Sequence, residues 1–150
     1  MSTLKDELLE DMKIAMKQKD KERLSVIRMA RAAIKNVEID KRKDLTDEEV
    51  IEILAKEVKS RRDAITEYEK AGRDDVVQKL QQEIEILSKY LPRQLTREEL
   101  EVLVNEVVAQ VNATSLKDMG KVMGAIMPKV KGRADGKLVN QLVREKLSKD

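Results

Sequence analysis

Apolar residues recur at three- and four-residue intervals along nearly the whole chain, the spacing that gathers them on one face of a helix. Leu8, Met12 and Met16 mark a first face, and Leu24, Ile27, Ala30, Ile34 and Val37 a second. Val50, Leu54, Val58, Ile65 and Tyr68 mark a third. Gly72 is a natural stop, because glycine tolerates the left-handed backbone that closes a helix. A fourth helix carries Val76, Val77, Leu80, Ile84 and Leu87, and it must end before Pro92, whose ring disfavours helical geometry at Leu91. Beyond it, Val104, Val107, Val108 and Val111 define a fifth helix. Another opens at Ser115 with Asp118 three residues on, and a last one runs from about Asp135 with Leu138, Leu142 and Val143 inward. The valine-rich stretch from Val102 to Val111 is the one place where strand propensity competes.

Two helix starts repeat almost letter for letter: Leu45-Thr46-Asp47-Glu48-Glu49-Val50 and Leu95-Thr96-Arg97-Glu98-Glu99-Leu100. In each the Thr hydroxyl can accept from the third helical amide while the Glu reaches back to the Thr amide, a capping box. The likeness stops there, so this is convergent capping rather than a repeat. Leu91-Pro92-Arg93-Gln94-Leu95 is the best boundary. The expected fold is all-α and multihelical, with a long-helix N-terminal subdomain over 1–91 and a small three-helix C-terminal subdomain over 92–150.

Composition narrows the chemistry. With no Phe or Trp and only Tyr68 and Tyr90, the core must be built from Leu, Ile, Val, Ala and Met. The absence of Cys and His removes disulfides, thiolate and imidazole nucleophiles, and the commonest zinc ligands. Ser25, Ser60, Ser88 and Ser115 lie in charged or capping contexts. Acidic pairs such as Glu48-Glu49 and Asp74-Asp75 are adjacent in sequence and do not face one another on a helix. Gly120 and Gly124 flank Lys121, but the P-loop pattern is missing. No catalytic residue, metal site or cofactor is expected. No apolar run is long enough to span a membrane or act as a signal peptide, so the cytoplasm is the expected compartment. Asn112-Ala113-Thr114 fits a glycosylation acceptor pattern but reads as an interhelical loop.

One segment departs from the rest. Met119 to Asp135 reads MGKVMGAIMPKVKGRAD. Met119, Met123 and Met127 share a helical stripe and read as flexible core filler. Gly120 and Gly124 lie four apart on a neighbouring stripe, where each weakens a helix by roughly 1 kcal/mol relative to Ala. Either a neighbouring helix or an outside backbone approaches that face. Lys129, Lys131 and Arg133 alternate through a turn containing Pro and Gly. From Lys117 to Lys137 the chain has six Lys or Arg against two Asp, while the net charge of the whole chain is only +2. Cations on an irregular loop beside a helix start suit phosphate. The shortage of aromatics argues against stacking readers of single strands and for backbone recognition of a structured RNA. The other basic patches, Lys41-Arg42-Lys43 and Lys59-Arg61-Arg62, have acidic neighbours and read as ordinary solvated faces.

Gly120, Val122-Met123, the Lys131-Gly132-Arg133-Ala134-Asp135 turn, Val139-Asn140 and Leu142 resemble the YqeY-like family over nearly the full chain. From about Ser115 onward the same residues are similar to the tail domain of the B subunit of the glutamine-dependent Asp/Glu-tRNA amidotransferase. The resemblance implies two helical subdomains and contact with tRNA. The binding residues would be Lys121, Lys129, Lys131, Arg133 and Lys137, with close approach at Gly120, Gly124 and Gly132. A carbon-nitrogen ligase activity with glutamine as amide donor is implied by family association alone, since the catalytic body of the larger enzyme has no counterpart here. The expected function is therefore a tRNA-binding or tRNA-associated accessory protein, the partner being a structured RNA with tRNA the first candidate. The rival is a protein-interaction adaptor using the long N-terminal helices or the Met stripe.

Overall fold

A computed structural model describes residues 2–148. The described residues form seven α-helices and a short 3-10 turn, with no strand among them: α1 (Leu4–Gln18), α2 (Lys21–Lys41), α3 (Asp47–Lys70), α4 (Asp74–Ser88), α5 (Arg97–Gln110), α6 (Met119–Val130) and α7 (Gly136–Ser148), the 3-10 turn (Leu116–Asp118) leading into α6. The chain divides into two compact units, Met1–Leu91 and Pro92–Asp150.

Helix starts follow side-chain chemistry. The Thr46 hydroxyl accepts the Glu49 amide at 3.3 Å while Glu49 accepts the Thr46 amide at 3.1 Å, and Thr96 with Glu99 repeats the arrangement at 3.1 and 3.0 Å. A third capping box, Thr3 with Asp6, opens α1. The α3 stop is Gly72, whose φ of +70° is the left-handed conformation that glycine adopts without a Cβ penalty.

In the first unit Leu8, Val26, Ile27, Val50, Leu54, Val58 and Leu87 form a fully buried core from all four helices. Two residues assigned to helix faces by spacing are exposed instead. Met16 is 44% exposed, with its sulfur accepting from the Arg28 guanidinium at 3.7 Å. Tyr68 is 39% exposed, because residues 66–75 at the tip between α3 and α4 have no helix over them. The reverse also occurs. Arg61 and Glu83 are buried and paired at 2.9 Å, so Arg61 is not part of a solvated basic face. Arg61 also donates to the Glu57 carbonyl at 3.0 Å, as burying a charge requires.

The second unit packs Leu100, Val104, Val107, Val122, Ile126, Val130, Val139, Val143 and Leu147 into a separate core. The valine-rich stretch is helix, since its branched residues at 104, 107 and 108 all bury on one side of α5 and that burial outweighs weak helix propensity. Met119 and Met123 pack against this core as filler, whereas Met127 is 38% exposed.

Candidate nucleic-acid interface

The basic turn begins where α6 ends. Val130 is fully buried, and its carbonyl accepts the amides of Arg133 at 2.8 Å and Ala134 at 3.1 Å, folding the chain back on itself. Gly132 stands at the reversal with φ +74°, which explains a glycine there. The chain enters α7 at Gly136, in line with the expected start at about Asp135, and the Asp135 carboxylate accepts the Lys137 amide at 3.0 Å. That helix start is therefore already capped by an acid. Lys129 belongs to the last turn of α6, not to the loop.

A second segment of the chain holds the turn. The Gln94 side-chain amide donates to the carbonyls of Gly132 at 2.7 Å and Pro92 at 3.0 Å. The Leu95 amide donates to the Arg133 carbonyl at 2.8 Å, and Arg133 Nε donates to the Arg93 carbonyl at 3.1 Å. Arg93 spends its own guanidinium on Glu99, with two bonds of 2.9 and 2.8 Å. This forked bond, and next the Thr96 amide, holds the Glu99 carboxyl at about 2, well below its usual value.

Lys121, Lys129, Lys131 and Lys137 are exposed, and Arg133 is half-buried. Lys129, Lys131, Arg133 and Lys137 cluster where α6 gives way to α7, whereas Lys121 lies in the first turn of α6, about 12 Å from Lys129 along the axis. Lys129 donates to the neutral Gln110 side chain at 3.3 Å. Among the described residues no carboxylate oxygen lies within 4.0 Å of either the Lys129 ammonium or the Arg133 guanidinium. In the first unit Lys43 and Lys41 share the Glu49 carboxylate, at 2.9 and 3.9 Å.

The glycine stripe corrects one of the two explanations considered for it. Gly120 and Gly124 are exposed, and a Cβ on either would meet nothing within 4 Å. Internal helix packing is not why they are glycines. Together with Pro128, which cannot donate to the Gly124 carbonyl one turn back, they leave α6 with an outer face of bare backbone. Gln94, Arg93 and Gln110 went unrecognised in the sequence. Neutral or distant in sequence from the turn, they carry no local signal of the contacts they make. Among the described residues there is no group of three or more acidic side chains that could hold a metal, and no helix is long and apolar enough to cross a membrane.

Comparison with known proteins places these features in context. The family model for "Yqey-like protein" matches residues 5–147. The chain is 31% identical over 138 residues to "Altered inheritance of mitochondria protein 41, mitochondrial" of Pyrenophora tritici-repentis, spanning 90% of this chain and 76% of that protein. The protein of the same name from Kluyveromyces lactis is 39% identical over 108 residues, 69% of this chain and 58% of its own length. A shorter match joins it to a glutamyl-tRNA(Gln) amidotransferase subunit of Thermococcus gammatolerans, 47% identical over 57 residues that make up 35% of this chain and only 9% of that subunit. With the family model covering the helices of both units, the chain belongs to the YqeY-like family.

Proposed function

We propose that this protein is a tRNA-binding accessory factor without catalysis of its own, contacting phosphates through Lys129, Lys131 and Arg133, with Lys121 and Lys137 flanking them and the Gly120–Gly124 face giving an RNA backbone room to approach. The observation that carries this reading is the contrast in cation pairing: Lys129 and Arg133 have neutral partners, while Lys43 and Arg61 in the first unit have acidic ones. The 47% identity to a subunit of a tRNA amidotransferase points the same way. It also limits the reading, since 9% of a subunit does not bring that enzyme's chemistry with it. The chain's lack of His and Cys is consistent with a binding role. A compartment containing tRNA is all that this role requires, and both the cytoplasm and the mitochondrial matrix supply one.

The test is a titration of labelled tRNA against wild type and the triple variant Lys129→Ala/Lys131→Ala/Arg133→Ala across a range of salt. Removing one phosphate-binding cation lowers the log-log salt slope by about 0.7–0.9, so the triple variant binds more weakly with a slope smaller by roughly 2–3. Equal affinities with equal slopes reject the site.

The adaptor reading has one observation in its favour. A groove of about 610 Å³ between α1 and α2 is lined by Leu9, Arg28, Arg31, Ala32 and Lys35. A protein partner retained after nuclease treatment and high salt, and released by Arg28→Glu/Arg31→Glu, would favour it over RNA.

A further inference from the structure

We infer that Gln94 is a positioning residue for a preformed phosphate fork at Arg133, an inference that rests on the tRNA-binding reading above. A flexible arginine loses side-chain and backbone freedom when it binds an anion, and a site that is ordered beforehand avoids that loss. The Arg133 backbone is held at both ends, its amide by the Val130 carbonyl at 2.8 Å and its carbonyl by the Leu95 amide at 2.8 Å. Its side chain is held at Nε by the Arg93 carbonyl at 3.1 Å. That bond uses the inner nitrogen of the guanidinium and leaves the two terminal nitrogens as a planar pair, the arrangement that meets two oxygens of one phosphate.

Gln94 is the side chain that ties these elements together. Its Nε2 bridges the Gly132 carbonyl at 2.7 Å, one residue before Arg133, and the Pro92 carbonyl at 3.0 Å, one residue before Arg93. With two carbonyl oxygens facing the same atom, only the amide nitrogen can occupy that place, so the orientation of the side chain is chemically determined. Gly132 depends on a left-handed backbone at φ +74°, and a bond to its carbonyl fixes the peptide plane that leads into Arg133. Arg93 in turn is anchored by the forked bond to Glu99, and Glu99 by the Thr96 capping box. The ligand is a phosphodiester of a nucleic-acid backbone, and Arg133 acts by shape as well as charge.

The experiment is a double-mutant cycle on the full chain with Gln94→Leu, Arg133→Ala and the pair, read by labelled tRNA titration, alongside ¹⁵N relaxation of Gly132, Arg133 and the Arg133 Nε–H in the free protein. Gln94→Leu is expected to weaken tRNA binding about tenfold in the wild-type background and to have little effect once Arg133 is Ala. The salt slope should stay within about one phosphate's worth of the wild type, since no cation is removed. In the free protein, the Arg133 Nε–H should lose order. A general loss of folding would instead lower affinity equally in both backgrounds. Arg133→Lys, which retains the charge but not the fork, should behave nearly as Arg133→Ala. If Gln94→Leu leaves the Arg133 signals and tRNA affinity unchanged while the triple lysine/arginine variant still loses binding, the clasp is overturned and the RNA reading stands. If the triple variant binds tRNA as wild type does, the RNA reading fails and the fork fails with it, whatever the relaxation data show.

Discussion

Two arginines, one in each unit, show how the same side chain is put to opposite uses. Arg61 is 9% exposed, paired to Glu83 at 2.9 Å and bonded to a backbone carbonyl of its own helix. Arg133 is half-buried and held by a backbone carbonyl, with no carboxylate oxygen of the described residues within 4.0 Å. The first is neutralised inside a helical bundle. The second is oriented but left charged. A guanidinium surrounded by acids is a structural element, whereas one steadied by neutral groups retains its attraction for an outside anion. Charge count alone does not separate them, since both lie in stretches rich in Lys and Arg.

The largest effect expected from breaking this contrast is at the buried pair. Glu83→Ala leaves Arg61 without its main counter-charge in a desolvated site, and chemical denaturation should show a loss of about 3–5 kcal/mol. Replacing both partners by apolar residues, Arg61→Met/Glu83→Leu, should recover most of that loss, because much of it is the cost of stranding a charge. Arg133→Ala, which gives up one hydrogen bond to a backbone carbonyl at a half-buried site, should cost only about 0.5–1.5 kcal/mol of stability while weakening tRNA binding. A stability loss at Arg133 equal to that at Glu83 would erase the distinction between the two arginines.

The Thr46–Glu49 and Thr96–Glu99 capping boxes, one in each unit, sharpen the comparison through pH. Glu49 and Glu99 both have carboxyl pKa values lowered to about 2, Glu49 first by the Lys43 ammonium and then by the Thr46 amide, Glu99 first by the Arg93 guanidinium and then by the Thr96 amide. A depressed carboxyl contributes stability that is complete above its unfolded value and is lost as pH falls through its folded one. The window therefore runs from the ordinary value of 4.5 down to about 2. Carboxyl NMR titration should place both midpoints near the lower end, and Arg93→Ala should raise that of Glu99 without moving Glu49. A Glu99 midpoint near the ordinary value in the wild type would remove the anchor from the segment that holds the turn. At neutral pH, Thr96→Ala should destabilise the second unit by about 1 kcal/mol, as the loss of a helix cap does.

How much of this was legible in the sequence follows from the range of the interactions. The capping boxes are contained within four consecutive residues, and both form at the positions their letters indicate. Val104, Val107 and Val108 were identifiable as a buried face because spacing along one helix decides it. Tyr68 and Met16 were misplaced because exposure depends on whether another helix happens to lie above, which periodicity does not contain. Arg61 looked like surface because its partner is 22 positions away. Within the candidate site the cations could be named from local charge, but the clasp could not, since Gln94 meets Gly132 across 38 positions through a neutral side chain.

The glycines respond in opposite directions, and their signs distinguish three residues that look alike in the sequence. A Cβ at Gly124 meets nothing within 4 Å, and the backbone there is ordinary helix, so Gly124→Ala should stabilise the second unit by about 0.5–1 kcal/mol through a stiffer unfolded chain and better helix propensity. Gly120→Ala acts in the same direction, but less, because it lies in the first turn of α6. Gly132→Ala must act oppositely: at φ +74° a Cβ meets the following carbonyl, a strain of roughly 1–2 kcal/mol, and thermal melts of the three variants should order them accordingly. The binding measurement then gives the stabilised variants their meaning. If RNA backbone lies against the bare face of α6, Gly124→Ala raises the melting temperature yet weakens tRNA binding by a few-fold, stability and affinity moving in opposite directions. If tRNA affinity is unchanged in Gly124→Ala, the RNA is confined to the turn and the open face of α6 takes no part in holding it.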